Sequence, residues 1–272
     1  MTAPRLLADI GGTNARFALA ADEDGLVPDI LPVARFPRFD DALEAFLDAR
    51  GIDVDTIGSC AIAAAGPVSA GVVRLTNAPW IIDTRALSRR LACPIGILND
   101  LEAVACALPA LTEAHLDILH PGGGLANAPM IAVNVGTGFG AAVAVPTPDG
   151  WHRLATEPGH MRLPDGPGTV EDVLSGPGLA RLRSTDPDWR VRFSHLLGRV
   201  TRDLILATGS WGGVRFCGGV MVTAWDEVID RAAFDAAFIT GGPMAERLAG
   251  VSLARIVHPT PALLGLFNAR ID

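Results

Sequence analysis

The sequence predicts an α/β fold made of two related domains, and three observations carry that reading. Strand-like apolar runs alternate with amphipathic helical segments along the chain, as in sheets covered by helices. Two hairpins with small-residue tips, Leu6–Leu19 and Met130–Val145, stand roughly half a chain apart. The 272 residues, 49% of them hydrophobic, are enough for two buried cores.

In the first hairpin the tip is Asp9, Ile10, Gly11, Gly12, Thr13 and Asn14, and in the second it is Asn134, Val135, Gly136, Thr137, Gly138, Phe139 and Gly140. Small residues let a ligand approach the backbone, whose N–H groups then face an anion. Either tip alone is an ordinary tight turn. The pair, with the acidic motifs below, suggests two domains facing one ligand.

The elements follow in order. Arg5–Ala8 and Ala15–Ala20 form the first hairpin, and Ile30–Phe36 is a third strand. Phe39, Leu43, Phe46 and Leu47 share one face of a helix Phe39–Arg50, stopped by Gly51. Ser59–Ala65 is a buried strand ending at Gly66-Pro67, and Val72–Leu75 runs into Thr76-Asn77. Asp83 caps a helix through Leu91. Ile95–Leu98 is a strand and Asn99–Leu108 a helix stopped by Pro109, with the domain boundary near Leu98. In the second half Trp151–Ala155 adds a strand to the hairpin, and Glu157–Gly168 is loop. Val170–Leu174 and Leu179–Arg183 are short helical pieces around Gly176-Pro177-Gly178. Asp188–Thr208 is the longest helix, with Phe193, Leu196, Leu197, Val200 and Leu204 as its apolar stripe. Val214–Cys217 is a strand ending in Gly218-Gly219, Ala224–Phe238 and Met244–Leu248 are helices, Leu253–Val257 a strand and Pro261–Ala269 a last helix.

Composition removes several function classes. A net charge of −8 gives no footprint for nucleic acid and no attraction to an anionic membrane. All 22 basic residues are Arg, so a lysine-bearing Walker loop is excluded, and any nucleotide relies on backbone N–H groups, hydroxyls, Arg and a metal. The uncharged stretch Pro121–Pro148 is too broken by Gly, Pro and Asn for a lipid-exposed helix and reads as strands and loops. Residues 1–7 show no signal-peptide pattern. Cys60, Cys93, Cys106 and Cys217 form no C-x-x-C pair and read as reduced thiols of a cytosolic protein.

Four further groups bear chemistry. Asn99-Asp100 stands where a strand gives way to a helix, the usual place for ligands in α/β sheets, and Asp100 is a candidate general base or an N-cap. Glu157 and His160 occupy one tight turn, suited to vicinal sugar hydroxyls or simply solvated. Glu171 precedes Ser175-Gly176-Pro177-Gly178 and is equally a first-turn helix acid. Gly218-Gly219 after a buried strand would admit a flat base or ribose, or is only a turn.

Taken together, the segments Asp9–Arg16, Thr76-Asn77, Asn99-Asp100, Gly136-Thr137-Gly138, Glu157-x-Gly159-His160, Leu174–Leu179 and Gly218-Gly219 resemble the bacterial glucokinases, within the sugar-kinase, heat-shock ATPase and actin superfamily. The motifs occur in the family's order over most of the chain. The resemblance implies two actin-like (ribonuclease H-like) α/β domains with an interdomain cleft. The C-terminal helix would return to the first domain, giving 1–98 plus 259–272 and 99–258. It also implies ATP-dependent phosphorylation of glucose at the 6-hydroxyl in the cytoplasm, with ATP and Mg²⁺ as cofactors. By the same resemblance Asp100 is the base, and Asn99, Glu157, His160 and Glu171 are similar to the sugar-hydroxyl ligands. Gly11, Gly12, Thr13 and Asn14 would lie against the transferred phosphate, Gly136 and Thr137 against the ATP phosphates, and Gly218 and Gly219 beside the adenosine. Asp9 would position Mg²⁺ through water.

The chain departs from the family in two places. Family members carry a longer insert between the residues matching His160 and Glu171, and the link from Leu182 to Trp189 is also short. Those inserts shape the sugar-side domain and the dimer contact, so a homodimer stays open. The zinc-binding cysteines of the repressor/kinase branch are missing. Other readings are a kinase for another hexose and a sugar-sensing protein without turnover. A third is an actin-fold phosphatase, which would not need Asn99-Asp100 joined with Glu157 and His160. A repressor role has no visible DNA-binding helix pair before Arg5.

Overall fold

A computed structural model describes residues 3–23, 26–66, 68–75, 78–163, 166–239 and 241–270. The chain divides into two compact units, Met1–Ala107 with Thr260–Asp272, and Leu108–Pro259.

The first unit is built on a five-stranded sheet. Its strands are β1 (Arg5–Ile10), β2 (Asn14–Ala20), β3 (Asp29–Pro32), β4 (Ser59–Ala64) and, later in the chain, Ile95–Asn99. α1 (Phe39–Arg50) has the predicted bounds, and Gly51 ends it in the left-handed conformation. β5 (Val68–Ser69), β6 (Val72–Arg74) and β7 (Ile81–Asp83) form a separate small sheet. α2 (Thr84–Leu91) starts at Asp83, whose carboxylate accepts from the backbone N–H groups of Arg85 and Ala86. β8 (Ile95–Asn99) leads into α3 (Asp100–Ala107). The large sheet runs β3-β2-β1-β4-β8: β1 and β2 are antiparallel, whereas β1, β4 and β8 are mutually parallel. A parallel strand is covered on both faces, which explains why Leu6, Leu7, Ala8 and Ile10 are all buried. Leu6, Ala8 and Ile10 join the cluster of Phe39, Leu43, Phe46 and Trp80. On the other face Arg5 donates to Phe267 O of the C-terminal helix Pro261–Asn268.

The second unit repeats this plan. β9 (Leu116–His120), β10 (Met130–Val135), β11 (Phe139–Thr147) and β12 (Gly150–Thr156) are followed by α4 (Gly176–Thr185) and the long α5 (Trp189–Thr208). Then come β13 (Gly213–Cys217), α6 (Gly219–Val228), α7 (Arg231–Phe238), α8 (Ala245–Ala249) and β14 (Leu253–Ile256). The sheet order is β12-β11-β10-β13-β14-β9. β10 pairs antiparallel with β11 and parallel with β13, as β1 does with β2 and β4. The expected pair of related α/β domains is thus present as one topology used twice, with β9 an added antiparallel edge. Pro121–Pro148 is strand and loop, as expected, and no helix of the described residues is long and apolar enough to cross a membrane.

Several expectations are corrected. The strand Ile30–Phe36 stops at Pro32, because Val33 N–H donates to Thr13 O and the chain turns into a 3₁₀ turn. Val170–Leu174 is a turn and not a helix: the N–H groups of Val170 and Glu171 donate back to Met161 O and Gly159 O. Gly176-Pro177-Gly178 is the first turn of α4, capped by Ser175 Oγ, and not a break between helices. The helix Ala224–Phe238 is two helices, interrupted where Asp230 caps α7 and its N–H donates to Ser194 Oγ. The second domain does not open at Asn99. α3 belongs to the first unit, where it packs against the C-terminal helix.

That packing is close enough to depend on one glycine. A Cβ on Gly265 would fall 1.7 Å from Ala103 O. Gly265→Ala is expected to cost about 1–3 kcal/mol or more, through overpacking. Gly123→Ala, whose Cβ meets nothing within 4 Å, is expected to change stability by no more than about 0.5 kcal/mol. Urea denaturation of the two variants checks this; equal midpoints would contradict it.

Candidate active site

The first unit brings two of the predicted motifs to one sheet edge. Ile10 lies opposite Ala64 on β4, and Ala64 lies opposite Asn99 on β8. Parallel neighbours sit about 4.8 Å apart, so the turn after β1 and the residue after β8 leave the same edge roughly 10 Å apart. Gly11 N–H donates to Asn14 O at 3.0 Å and closes the turn, which Thr13 O anchors to Val33 N–H at 2.9 Å. Asp9 lies opposite Arg16 across the hairpin, and Arg16 Nη1 donates to its Oδ2 at 3.1 Å. Burial pushes the Asp9 carboxyl above the ordinary value, and Arg16 opposes that shift only in part.

Asn99 and Asp100 begin α3 with side-chain caps on a shared backbone N–H. Asn99 Oδ1 and Asp100 Oδ1 both accept from Leu101 N–H, at 3.0 and 2.9 Å, and Glu102 Oε2 accepts from Asn99 N–H at 3.2 Å. The Asn-x-x-Glu spacing is a capping-box signal, so Glu102 was readable from sequence and was missed. Its role is to fix the strand-to-helix corner on which Asp100 sits. Thr76-Asn77 lies outside the described residues.

In the second unit Gly136 and Thr137 line a cavity of ≈ 560 Å³ with Gly176, Pro177, Gly219 and Val220. Two helices, α4 and α6, begin at its wall. The dipoles of both helices favour an anion there, whereas the first-turn N–H groups of α4 are already taken by Gly136 O, Ser175 Oγ and Ser175 O. Gly136 O accepts from Gly176 N–H at 2.7 Å and ties the hairpin tip to α4. Gly218 has φ +88°, and a Cβ on it would lie 2.4 Å from Asn134 Oδ1. The sharp exit from β13 into α6 therefore requires glycine at this position.

Glu157 precedes the 3₁₀ turn Pro158–His160 and His160 ends it, and both side chains are open to solvent. Their closest approach is 4.0 Å, so neither holds the other firmly. Glu171 is placed differently. Its Oε2 accepts from Phe139 N–H at 2.9 Å, and its own N–H donates to Gly159 O at 3.0 Å. One residue thus joins the Gly136–Gly138 tip to the Glu157–His160 turn, a positioning duty not anticipated from sequence. Asn99 and Asp100 belong to the first unit, and Glu157, His160 and Glu171 to the second.

Among the described residues no group of three or more His, Cys, Asp or Glu forms a metal cage. The donor set suits Mg²⁺ held in another way. Mg²⁺ commonly takes one carboxylate, several waters and substrate phosphates, and Asp9 is a desolvated carboxylate with one oxygen already on Arg16. The four cysteines are free, and burial pushes the Cys60 and Cys93 thiols up, away from reactivity.

A sequence profile of the glucokinase family matches residues 6–168 and 191–270. The chain is 31% identical to a glucokinase of Chromobacterium violaceum, over 97% of this chain and 88% of that one. It is 31% identical to a glucokinase of Nitrobacter hamburgensis, over 100% of this chain and 98% of that one. The second alignment runs to 321 positions against 272 residues, so this chain lacks segments the relative has. The crystal structure of a glucokinase from an Antarctic psychrotroph superposes with a TM-score of 0.84 at 26% identity, covering 98% of each chain. The stretch 169–190 between the matched parts holds Glu171 and α4.

Two predictions follow from the geometry. Glu171→Ala strands the Phe139 N–H and is expected to cost about 1–3 kcal/mol, whereas Glu171→Gln keeps an acceptor and recovers most of it. Denaturant midpoints check this, and equal losses in both variants would contradict it. A raised Asp9 value means the folded state holds its proton more tightly than the unfolded chain. The stability so gained is complete below the ordinary value of 3.8 and is lost as pH climbs through the higher folded-state value. In metal-free buffer, Asp9→Asn is therefore expected to gain melting temperature relative to the parent as pH rises from about 4 to about 8. A variant that instead falls further behind with rising pH would show that the Arg16 pair outweighs burial.

Proposed function

This chain belongs to the glucokinase family, and we propose that it is a kinase that transfers the terminal phosphoryl group of ATP to the 6-hydroxyl of glucose. The observation that carries the proposal is the strand register that puts the Asp9–Asn14 turn and Asn99-Asp100 on one edge of one sheet. Phosphoryl transfer asks a protein mainly for alignment and charge neutralisation. A sheet edge offering a glycine turn for the phosphate and, about two strand spacings away, a carboxylate for the attacking hydroxyl supplies alignment.

In this reading Asp100 accepts the hydroxyl proton late in the transfer, which needs no strongly raised carboxyl value. Asn99, Glu157, His160 and Glu171 are the sugar-hydroxyl ligands. Gly11, Gly12, Thr13 and Asn14 lie against the transferred phosphoryl group. Gly136 and Thr137, with the starts of α4 and α6, hold the remaining phosphates, and Gly218 and Gly219 border the adenosine. Mg²⁺, when bound, would neutralise phosphate charge, with Asp9 as its protein contact through water. The actin-like reading of both units extends to the ribonuclease H-like family of folds, a proposal supported by the repeated strand order. Four free cysteines support a reducing, cytoplasmic setting.

ADP release with MgATP across a panel of hexoses tests the reading. Glucose is expected to give the highest kcat/KM. Asp100→Asn is expected to lower kcat by about 10²–10⁴-fold, while glucose still raises its melting temperature. Higher efficiency on another hexose would reassign the substrate, and near-parental activity of Asp100→Asn would remove the base.

A further inference from the structure

The lining of the glycine-lined cavity falls into two parts. Gly136, Thr137, Gly176 and Gly219 come from the hairpin tip and from the starts of α4 and α6, where the helix dipoles favour phosphate. The rest follows the two helices away from those starts. Leu179 and Arg183 stand at i and i+4 on α4, and Val220, Thr223 and Ala224 at i, i+3 and i+4 on α6, so each helix turns one face to the cavity. Arg183 lies about two turns beyond Gly176, roughly 10 Å along α4.

This second part suits a flat aromatic group. Leu179, Val220 and Ala224 give it apolar walls, and Arg183 is the one charged side chain among the described lining residues. Arg183 Cζ lies 4.6 Å from the centroid of the Trp189 ring, over its face. Trp189 opens α5 and packs against the core of the unit, so the ring is a fixed backing. A guanidinium is a planar, weakly hydrated cation with two faces, and it stacks readily on aromatic rings. Stacking uses the face of the plane, so it holds whatever the edge donors bind. Arg183 itself is exposed, which leaves it within reach of an occupant of the cavity it lines.

Building on the nucleotide reading given under the proposed function, we propose that Arg183, backed by Trp189, is the shelf on which the base of the phosphoryl donor stacks. It is thereby a specificity-determining residue, one that favours a nucleotide over a bare polyphosphate. The phosphates lie at the helix starts and the base lies two turns away, between Arg183 and the apolar walls. One helix, α4, serves both ends of the donor: its first turn faces the phosphates and its last turn carries the shelf.

Isothermal titration of the whole chain with MgADP and, separately, with magnesium tripolyphosphate tests the proposal. Arg183→Ala is expected to weaken MgADP about tenfold, as the loss of one stacking partner does, and to leave tripolyphosphate unchanged. Arg183→Lys keeps the charge without the plane and is expected to lose nearly as much affinity for MgADP. Far-UV circular dichroism establishes that both variants are folded. Full MgADP affinity in Arg183→Ala, recovery of it in Arg183→Lys, or a parallel loss for both ligands would overturn the proposal, the last two making Arg183 a charge partner of phosphate. The titration needs no turnover. A parent protein that binds MgADP but phosphorylates no hexose would therefore end the kinase reading and leave the shelf standing, whereas one that binds no MgADP would overturn both.

Discussion

The parallel pairing of β1 with β4, and of β4 with β8, is the constraint on which the first unit depends. A one-residue slip in that register would turn Leu6, Ala8 and Ile10 away from the core they share with Phe39 and Phe46. The register is therefore fixed by burial, and burial in turn fixes where the strands end. Because Ile10, Ala64 and Asn99 are level, the glycine turn and the capped start of α3 emerge side by side. The chemistry proposed for Asp100 is inherited from packing far below it.

The second unit uses the same device for a different duty. β10 and β13 are parallel neighbours, and the residues after them, Gly136-Thr137 and Gly218-Gly219, meet at the mouths of two helices. In a chain whose cations are all Arg, the proposed phosphate site here relies on backbone N–H groups and helix dipoles. Glu171 then couples this tip to the Glu157–His160 turn through Phe139 N–H and Gly159 O. The carboxylate that resembles a sugar ligand is also a brace between two loops, so its loss would disturb both.

Strong periodicity and strong turn chemistry were legible in the sequence. α1 was bounded correctly because its apolar face, its acidic first turn and Gly51 agree. Asp83 and both glycine hairpins were equally clear. What escaped were features set by partners distant in sequence. β9 is a strand because β14 offers an edge and Arg255 Nε meets Asp117 at 3.0 Å. The division between α6 and α7 reflects the hydroxyl of Ser194 on α5. α3 joins the first unit because Gly265 admits its backbone, a contact about 160 residues away that no local window contains. Of the site, the residue types and their order were readable. The positioning role of Glu171 became visible only through its hydrogen bonds, whereas the Asn-x-x-Glu spacing had announced Glu102.

The proposed reaction and simple hydrolysis of ATP by the same phosphate-binding turns differ in where the phosphorus ends up. ³¹P nuclear magnetic resonance of the protein with MgATP and glucose separates them directly. The account predicts that the γ-phosphorus signal is replaced by a monoester resonance coupled to the two C6 protons of the sugar, with ADP formed in equal amount. Release of inorganic phosphate, at a rate indifferent to glucose, would contradict it.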